Sequence, residues 1–225
     1  MNLPVAREGL PFILVFLAAA VLAAIWARSG GWGARTALPA GLLMLTLFVV
    51  YFFRDPERRI PADPDVVVSP ADGTVMSVRE VAGEAAGTGF TGGTATRVTI
   101  FLSIFNVHVQ RAPLGGRVDG YDYRPGRYLP AWRDEASSEN EQASLALATA
   151  EGPVVVRQIA GLVARRIVTY PREGDSLERG ERIGLIRFGS RVDLFLPPEW
   201  AVTVGAGDRV RGGETPVAHI NRTGE

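Results

Sequence analysis

Two uninterrupted apolar runs open the chain, and the pattern after them changes character. Residues 10–27 read LPFILVFLAAAVLAAIWA and residues 37–53 read ALPAGLLMLTLFVVYFF, neither with a charge. Each approaches the roughly 17–25 residues needed to cross a bilayer as a helix. The connector RSGGWGART is short and Gly-rich, so the pair predicts a helical hairpin. Trp26, Trp32, Tyr51, Phe52 and Phe53 fall where interfacial aromatics belong. A cleaved signal peptide competes for the first run, but a second apolar run follows closely and Trp26-Ala27-Arg28 is a poor cleavage context. A buried pair of core helices is the other alternative. Arg7, Arg54, Arg58 and Arg59 lie outside the hairpin, against Arg28 and Arg35 in its connector. That bias predicts a cell-membrane protein with both ends, and the main domain, on the cytoplasmic side.

From about residue 63 the helical period disappears. VVVSP, GTVMSV, RVTIFLSIFNVHV, GPVVVRQIAG, RRIVTYP, RIGLIRF, RVDLFLP and AVTVGAG are short β-branched runs punctuated by Gly, Pro and Asp, the signature of strands. Residues 134–150 are the exception: a polar start, DEASSENEQ, leads into ALALATA and predicts a helix-like segment or a loop. Two faint repeats support a closed β architecture. G-D-x-(L/V)-x-x-G-E occurs at 174–181 and again at 207–214, and Pro70 to Val75 echoes Pro113 to Val118. The expected fold is therefore mainly β: a barrel-sandwich-like β domain at 61–225, preceded by an N-terminal membrane-anchoring hairpin and juxtamembrane segment at 1–60.

Composition narrows the chemistry. Net charge is zero, so nothing argues for a nucleic-acid partner. Cysteine is absent and there are two histidines, His108 and His219, so no metal site is expected. The 24 basic residues are all arginine. Without lysine no protein Schiff base to pyridoxal phosphate can form, and a lysine-tethered carrier role fails as well. An amine-handling enzyme built on this chain must make its own electrophile. The candidate is the Gly189-Ser190 pair in RFGSR, set between apolar β runs, although most such pairs are turns. Asp72 in SPADGTV, at a turn, and His108 in IFNVHVQRAP, read as a strand residue, could orient and deprotonate a serine hydroxyl. Their ordinary alternatives are a turn former and a structural histidine.

The set FFRDPER, SPADGTV, FLSIFNVHVQRAP, SSENEQ and RFGSRVDLFLP, in that order, resembles the short form of the phosphatidylserine decarboxylase family. Longer members carry Leu-Gly-Ser-Thr at the processing site; Phe-Gly-Ser-Arg stands here, which removes any role for a hydroxyl at position 191. The resemblance implies self-cleavage between 189 and 190 by serinolysis, giving a β chain (1–189) and an α chain (190–225) that stay together as a heterodimer. It implies Asp72, His108 and Ser190 as the catalytic set, and a covalent pyruvoyl group derived from Ser190 as the cofactor. It further implies conversion of phosphatidylserine to phosphatidylethanolamine, with His108 as proton donor and anionic membrane lipid as partner. Asn106, Arg111, Ser137, Ser138 and Asn140 are weaker substrate-contact candidates. Arg54, Arg58 and Arg59 could attract headgroups or serve as orientation signals only. Two other readings compete: a membrane-tethered, non-enzymatic barrel-sandwich adaptor, and a pyruvoyl decarboxylase of soluble amino acids, against which the hairpin argues.

Overall fold

The computed structural model describes residues 4–28, 34–83, 90, 93–133, 135–162, 166–187 and 190–221. Trp32, Asp134 and Gly189 lie outside them. The chain divides into two compact units, Met1–Glu57 and Arg58–Glu225.

The first unit is a helix pair. A short 3₁₀ turn, Arg7–Gly9, leads into α1 (Leu10–Arg28), and α2 (Ala34–Phe52) returns. Both helices are long and apolar enough to cross a membrane. Small residues make the pairing close: the buried residues of α1 are Ala20, Ala23 and Ala27, a spacing that lets backbones approach. Leu14, Val15, Leu22, Ile25, Met44 and Leu47 point outward and are exposed, as lipid-facing residues would be. The open end is fastened by Ala6 N–H to Phe53 O at 2.7 Å and Asp55 N–H to Pro4 O at 2.8 Å. Phe12 stacks on Phe53 there, with centroids 5.8 Å apart. Gly9 is required beneath that ring, since a Cβ would lie 2.5 Å from it.

The second unit is mainly β, with a curled half-barrel sheet. Its strands are β1 (Val66–Val68), β2 (Gly73–Ala82), β3 (Thr94–Leu102), β4 (Val109–Arg111), β5 (Gly116–Arg124), β6 (Gln142–Ala148) and β7 (Pro153–Ala160). They continue with β8 (Ile167–Thr169), β9 (Ser176–Leu177), β10 (Arg182–Ile186), β11 (Ser190–Leu196), β12 (Ala201–Val202), β13 (Arg209–Val210) and β14 (Pro216–His219). The large sheet runs β13-β2-β3-β11-β7-β6-β5-β9, and two three-stranded sheets run β1-β14-β12 and β4-β10-β8.

Those orders are two copies of one pattern. Strands β1, β2, β3, β11, β12, β13 and β14 form one half; β4 to β10 form the other, in corresponding positions. The correspondence extends to irregularities: register shifts fall between Val75 and Ser77 in β2 and between Val118 and Gly120 in β5. It also extends to hydrogen bonds. Val75 N–H donates to Asp208 O and Val118 N–H to Asp175 O, at 2.9 and 2.8 Å. The repeated G-D-x-(L/V)-x-x-G-E stretches form β13 and β9, the two outer strands of the large sheet. Gly207 and Gly174, which open them, have φ of +98° and +93°, the left-handed region that favours glycine.

The second half is thus inserted whole between β3 and β11 of the first. This topology positions the site. The end of β3, Leu102, lies beside the start of β11, Ser190. His108 follows β3 in the chain, and its carbonyl accepts from Ile186 N–H at the end of β10.

The core lies inside the curl. Val192, Leu194 and Leu196 of β11 pack there with Val98, Ile100, Leu102, Val154 and Val156. The alternate residues face the other side, where Phe195 joins Phe90, Ala95, Ala146 and Val155. Every residue of β11 is buried. Residues 135–148 correct the expectation for that region: a single helical turn, α3 (Ala136–Glu139), is followed by strand β6, paired on both sides. Six of its seven residues are buried, so the apolar/polar alternation that identifies a strand is absent, and sheet pairing overrides the helix preference of Ala and Leu.

Candidate active site

Ser190 begins β11 and pairs with Leu102 and Ala160, the last residues of β3 and β7. It shares the inward parity of Val192 and Leu194 and has no solvent exposure. Its hydroxyl has no hydrogen-bond partner among the described residues. Leaving a buried hydroxyl unsatisfied costs about 1–3 kcal/mol, and such a group in a native fold calls for a functional explanation. Its strand neighbours Leu102 and Ala160 belong to the core cluster, surroundings that suit a methyl group better than a hydroxyl.

Asp72 ends the turn before β2. Ser69 Oγ closes that turn by donating to Ala71 O at 2.7 Å. Arg58 Nη2 holds both carboxylate oxygens of Asp72, at 2.9 and 3.1 Å, and Gly212 N–H donates to Oδ1 at 2.8 Å. Gly73 must be glycine, because a Cβ would stand 2.3 Å from Phe101 O and 2.8 Å from Ile100 Cγ2. Thr74 and Arg191 flank Phe101 on either side, so Asp72 and Ser190 occupy the same sheet edge two strand spacings apart, roughly 10 Å. Asp72 faces a cleft of about 280 Å³ lined by Gly73, Thr74, Ser103, Asn106, Arg209, Val210 and Arg211.

His108 is buried, but in the connection between β3 and β4 rather than in a strand. The continuous strand expected over 101–113 is broken by Asn106, whose Oδ1 accepts from Ser103 N–H at 2.9 Å and Ser103 Oγ at 2.7 Å. A side chain bonded back to the backbone three residues earlier offers the chain a local alternative to the ladder. His108 Nδ1 lies 3.0 Å from Asn106 O. A carbonyl can only accept, so Nδ1 carries the proton and Nε2 of the neutral ring is the basic nitrogen. His108 O accepts from Ile186 N–H at 3.3 Å, which ties the histidine to the end of β10, a few residues before Ser190.

A buried relay also holds His108. Thr169 Oγ1 donates to Gln158 Oε1 at 3.2 Å, Gln158 Nε2 to Gln110 Oε1 at 2.8 Å, and Gln110 Nε2 to His108 O at 2.8 Å. Sequence reading missed both glutamines. The available signal was a polar residue at a core-facing position of an apolar strand, in VHVQR and VVVRQIA. On the far face of β11, Arg191 Nε and Nη2 grip Asp193 at 2.7 and 3.0 Å in a fully buried pair. Burial presses the nearby Arg157 guanidinium below its usual range, against the opposing pull of Asp193.

The weaker candidates scatter. Asn106 lines the cleft. Arg111 is buried in β4 and donates to Gly180 O at 3.0 Å. Ser138 is exposed and bonded to Glu135 O, and Ser137 is half-buried in the same turn. Asn140 Nδ2 donates to Leu129 O and to Ala160 O, at 2.8 and 2.7 Å, bracing the strand beside Ser190. Arg54 lies over the Tyr51 ring at 3.8 Å. The side chain of Arg58, read as a headgroup or orientation residue, is 5 % exposed and paired with Asp72; Arg59 is exposed.

The fold and the site together describe a duplicated β domain that buries a serine at a strand entrance, with a tautomer-fixed histidine and a carboxylate on the same edge. That is the equipment of an enzyme. A sequence profile for phosphatidylserine decarboxylase matches residues 45–218. The chain is 49 % identical over 217 residues to a phosphatidylserine decarboxylase proenzyme of Symbiobacterium thermophilum, covering 96 % of this chain and 95 % of that one. Proteins of the same name from Desulfotalea psychrophila (43 % over 220 residues; 97 % and 98 % covered) and Burkholderia lata (44 % over 226 residues; 99 % and 100 %) are similarly close. The chain belongs to the phosphatidylserine decarboxylase family.

Proposed function

We propose that this chain is a membrane-anchored proenzyme that cuts itself between Gly189 and Ser190 and then decarboxylates phosphatidylserine to phosphatidylethanolamine. The observation that carries the proposal is the buried Ser190 hydroxyl at the entrance of β11, without a hydrogen-bond partner among the described residues, in a chain of this family. In processing, His108 Nε2 takes the hydroxyl proton and Oγ attacks the Gly189 carbonyl carbon. The amide C–N bond breaks, its nitrogen takes the proton, and an ester links Gly189 to Oγ. Loss of the Ser190 α-proton expels Gly189 as a carboxylate and leaves a carbon–carbon double bond; its methylene takes up a proton to become a methyl group, and water then displaces the nitrogen as ammonia. A pyruvoyl group remains at position 190, and its carbonyl supplies the electrophile for the substrate amine and the sink for the electron pair released with carbon dioxide.

The core surroundings of Ser190 fit that group, since its methyl needs no hydrogen-bond partner. Arg58 and Gly212 hold the Asp72 carboxylate toward the cleft, where it stabilises positive charge on the His108 side of the site. His108, with its proton fixed on Nδ1, returns a proton from Nε2 to the substrate α-carbon. Ser103, Asn106, Arg209 and Arg211 offer donors for a phosphate or carboxylate headgroup. The two fragments remain a heterodimer, because β11 is hydrogen-bonded to β3 and β7 of the larger one. The helix pair anchors the enzyme, and the arginines outside it favour the cytoplasmic side. The family assignment gives the adaptor reading no support.

Ser190→Ala is expected to leave the full-length chain uncut and unable to release carbon dioxide from phosphatidylserine. Cleavage persisting in that variant would move the site elsewhere. Carbon dioxide released from free serine but not from the lipid would overturn the substrate.

A further inference from the structure

Because Leu102 and Ala160, the strand neighbours of Ser190, are the last residues of β3 and β7, the loops leaving those strands stand on either side of the reacting residue. Both carry exposed apolar side chains. Ile104 and Phe105 are 40 % and 62 % exposed, and Leu162 is 58 % exposed. Trp132, 59 % exposed, packs edge-on against Phe101, one residue before Leu102. Single exposed apolar residues are ordinary. Ile104, Phe105 and Leu162, on the loops that leave the two strands flanking one buried serine, call for an explanation, and Trp132 adds an exposed ring on the far face of the same strand end.

The charges beside the patch are complementary to lipid. Arg209 and Arg211 are exposed and line the adjoining cleft; the carboxylate that lines it, Asp72, is paired with Arg58, so the two arginines leave the cleft net positive. Apolar tips next to arginines form the combination that seats in an anionic headgroup layer, with the tips at the acyl boundary and the cations at the phosphates.

We infer that this edge of the β domain docks directly on an anionic bilayer, inserting the Ile104–Phe105 and Leu162 tips so that headgroups of the same leaflet reach position 190. This rests on the lipid decarboxylase reading and goes beyond it: the helix pair tethers the enzyme, whereas these loops make the catalytic edge itself a membrane surface. A second copy of the chain or a protein partner would cover the patch without lipid.

The absence of cysteine makes the test clean. Phe105→Cys and Leu162→Cys are introduced singly into the full-length enzyme, labelled with an environment-sensitive fluorophore, and reconstituted into phosphatidylcholine–phosphatidylserine vesicles with or without brominated acyl chains. Both labels are expected to be quenched by bromine. A label at Glu199→Cys, beyond the opposite end of β11 and roughly 20 Å away, is not. In parallel, Phe105→Ser combined with Leu162→Ser is expected to lower kcat/KM on vesicles by at least about tenfold, with less than about twofold change on monomeric short-chain phosphatidylserine. Unquenched labels on an enzyme active toward vesicles would overturn the docking, as would equal loss on both substrates. Labels shielded without lipid in a concentration-dependent way would overturn it in favour of self-association. No carbon dioxide from either substrate with the unsubstituted enzyme would instead strike the decarboxylase reading itself.

Discussion

Gln158→Leu tests whether the buried relay behind His108 is part of the processing machinery or merely core filling. Leucine nearly matches the volume but removes two hydrogen bonds, at 2.8 Å to Gln110 and 3.2 Å from Thr169. Gln110 has no solvent exposure, so its Oε1 is left without a donor, at a cost of about 1–3 kcal/mol. Thr169 is only half-buried and can turn to water, so its loss adds little. A net loss near 2 kcal/mol corresponds to a Tm decrease of about 4–8 °C for a chain of this size. Gln110 is then free to swing, and its 2.8 Å bond to His108 O weakens. Misplacing a catalytic group by about 1 Å can cost on the order of a hundredfold in rate, so processing should slow by about ten- to a hundredfold. Stability is measured by thermal unfolding in a Ser190→Ala background, where every variant is uncut. Processing is measured as the conversion half-time of newly translated precursor on gels. Because removing both partners of a buried bond costs less than removing one, Gln110→Leu with Gln158→Leu should destabilise less than the sum of the singles while still slowing cleavage. Lower stability with unchanged processing would refute the positioning role, and strict additivity would refute the network.

Two further perturbations probe the scaffold around the site. Gly73→Ala forces a Cβ to within 2.3 Å of Phe101 O; an expected loss of about 1–3 kcal/mol, with slowed processing through displacement of Asp72, is read by the same two assays, and an unperturbed variant would mean the β2–β3 contact is not tight. Asp193→Leu leaves Arg191 buried and unpaired, with an expected loss of about 3–5 kcal/mol. Adding Arg191→Met should recover most of that loss in thermal unfolding, and no recovery would show that the pair is not the source of the cost.

Sequence and structure agree where physics is local and part where it is not. The helix pair was legible because two runs without a charge have few alternatives. The repeated G-D-x-(L/V)-x-x-G-E turns were legible, because glycine at positive φ and aspartate capping its own turn are local requirements; that they mark two copies of one half was not, because one half is inserted into the other by strand pairing. Strand β6 was hidden because burial on both faces erases alternation. His108 was placed in a strand because the apolar residues of FLSIFNVHVQRAP alternate in a β-like way around it, and only the Asn106 side-chain bonds to Ser103 reveal the break. Arg58 was misread because a basic residue beside a membrane segment has an ordinary explanation, while its partner Asp72 is set by the fold. Gln110 and Gln158 meet only through the inserted half, a relation no spacing encodes.

Whether residue 190 is consumed once to make the reactive carbonyl is decided by intact-mass analysis of the purified full-length protein with hydrazine labelling. Two fragments, 1–189 and 190–225, are expected to copurify in native buffer and separate in denaturant. The smaller should lack a free amino terminus and gain one hydrazone. A single uncut chain of 24.2 kDa without a reactive carbonyl, in a preparation that still decarboxylates phosphatidylserine, would contradict the consumption of residue 190.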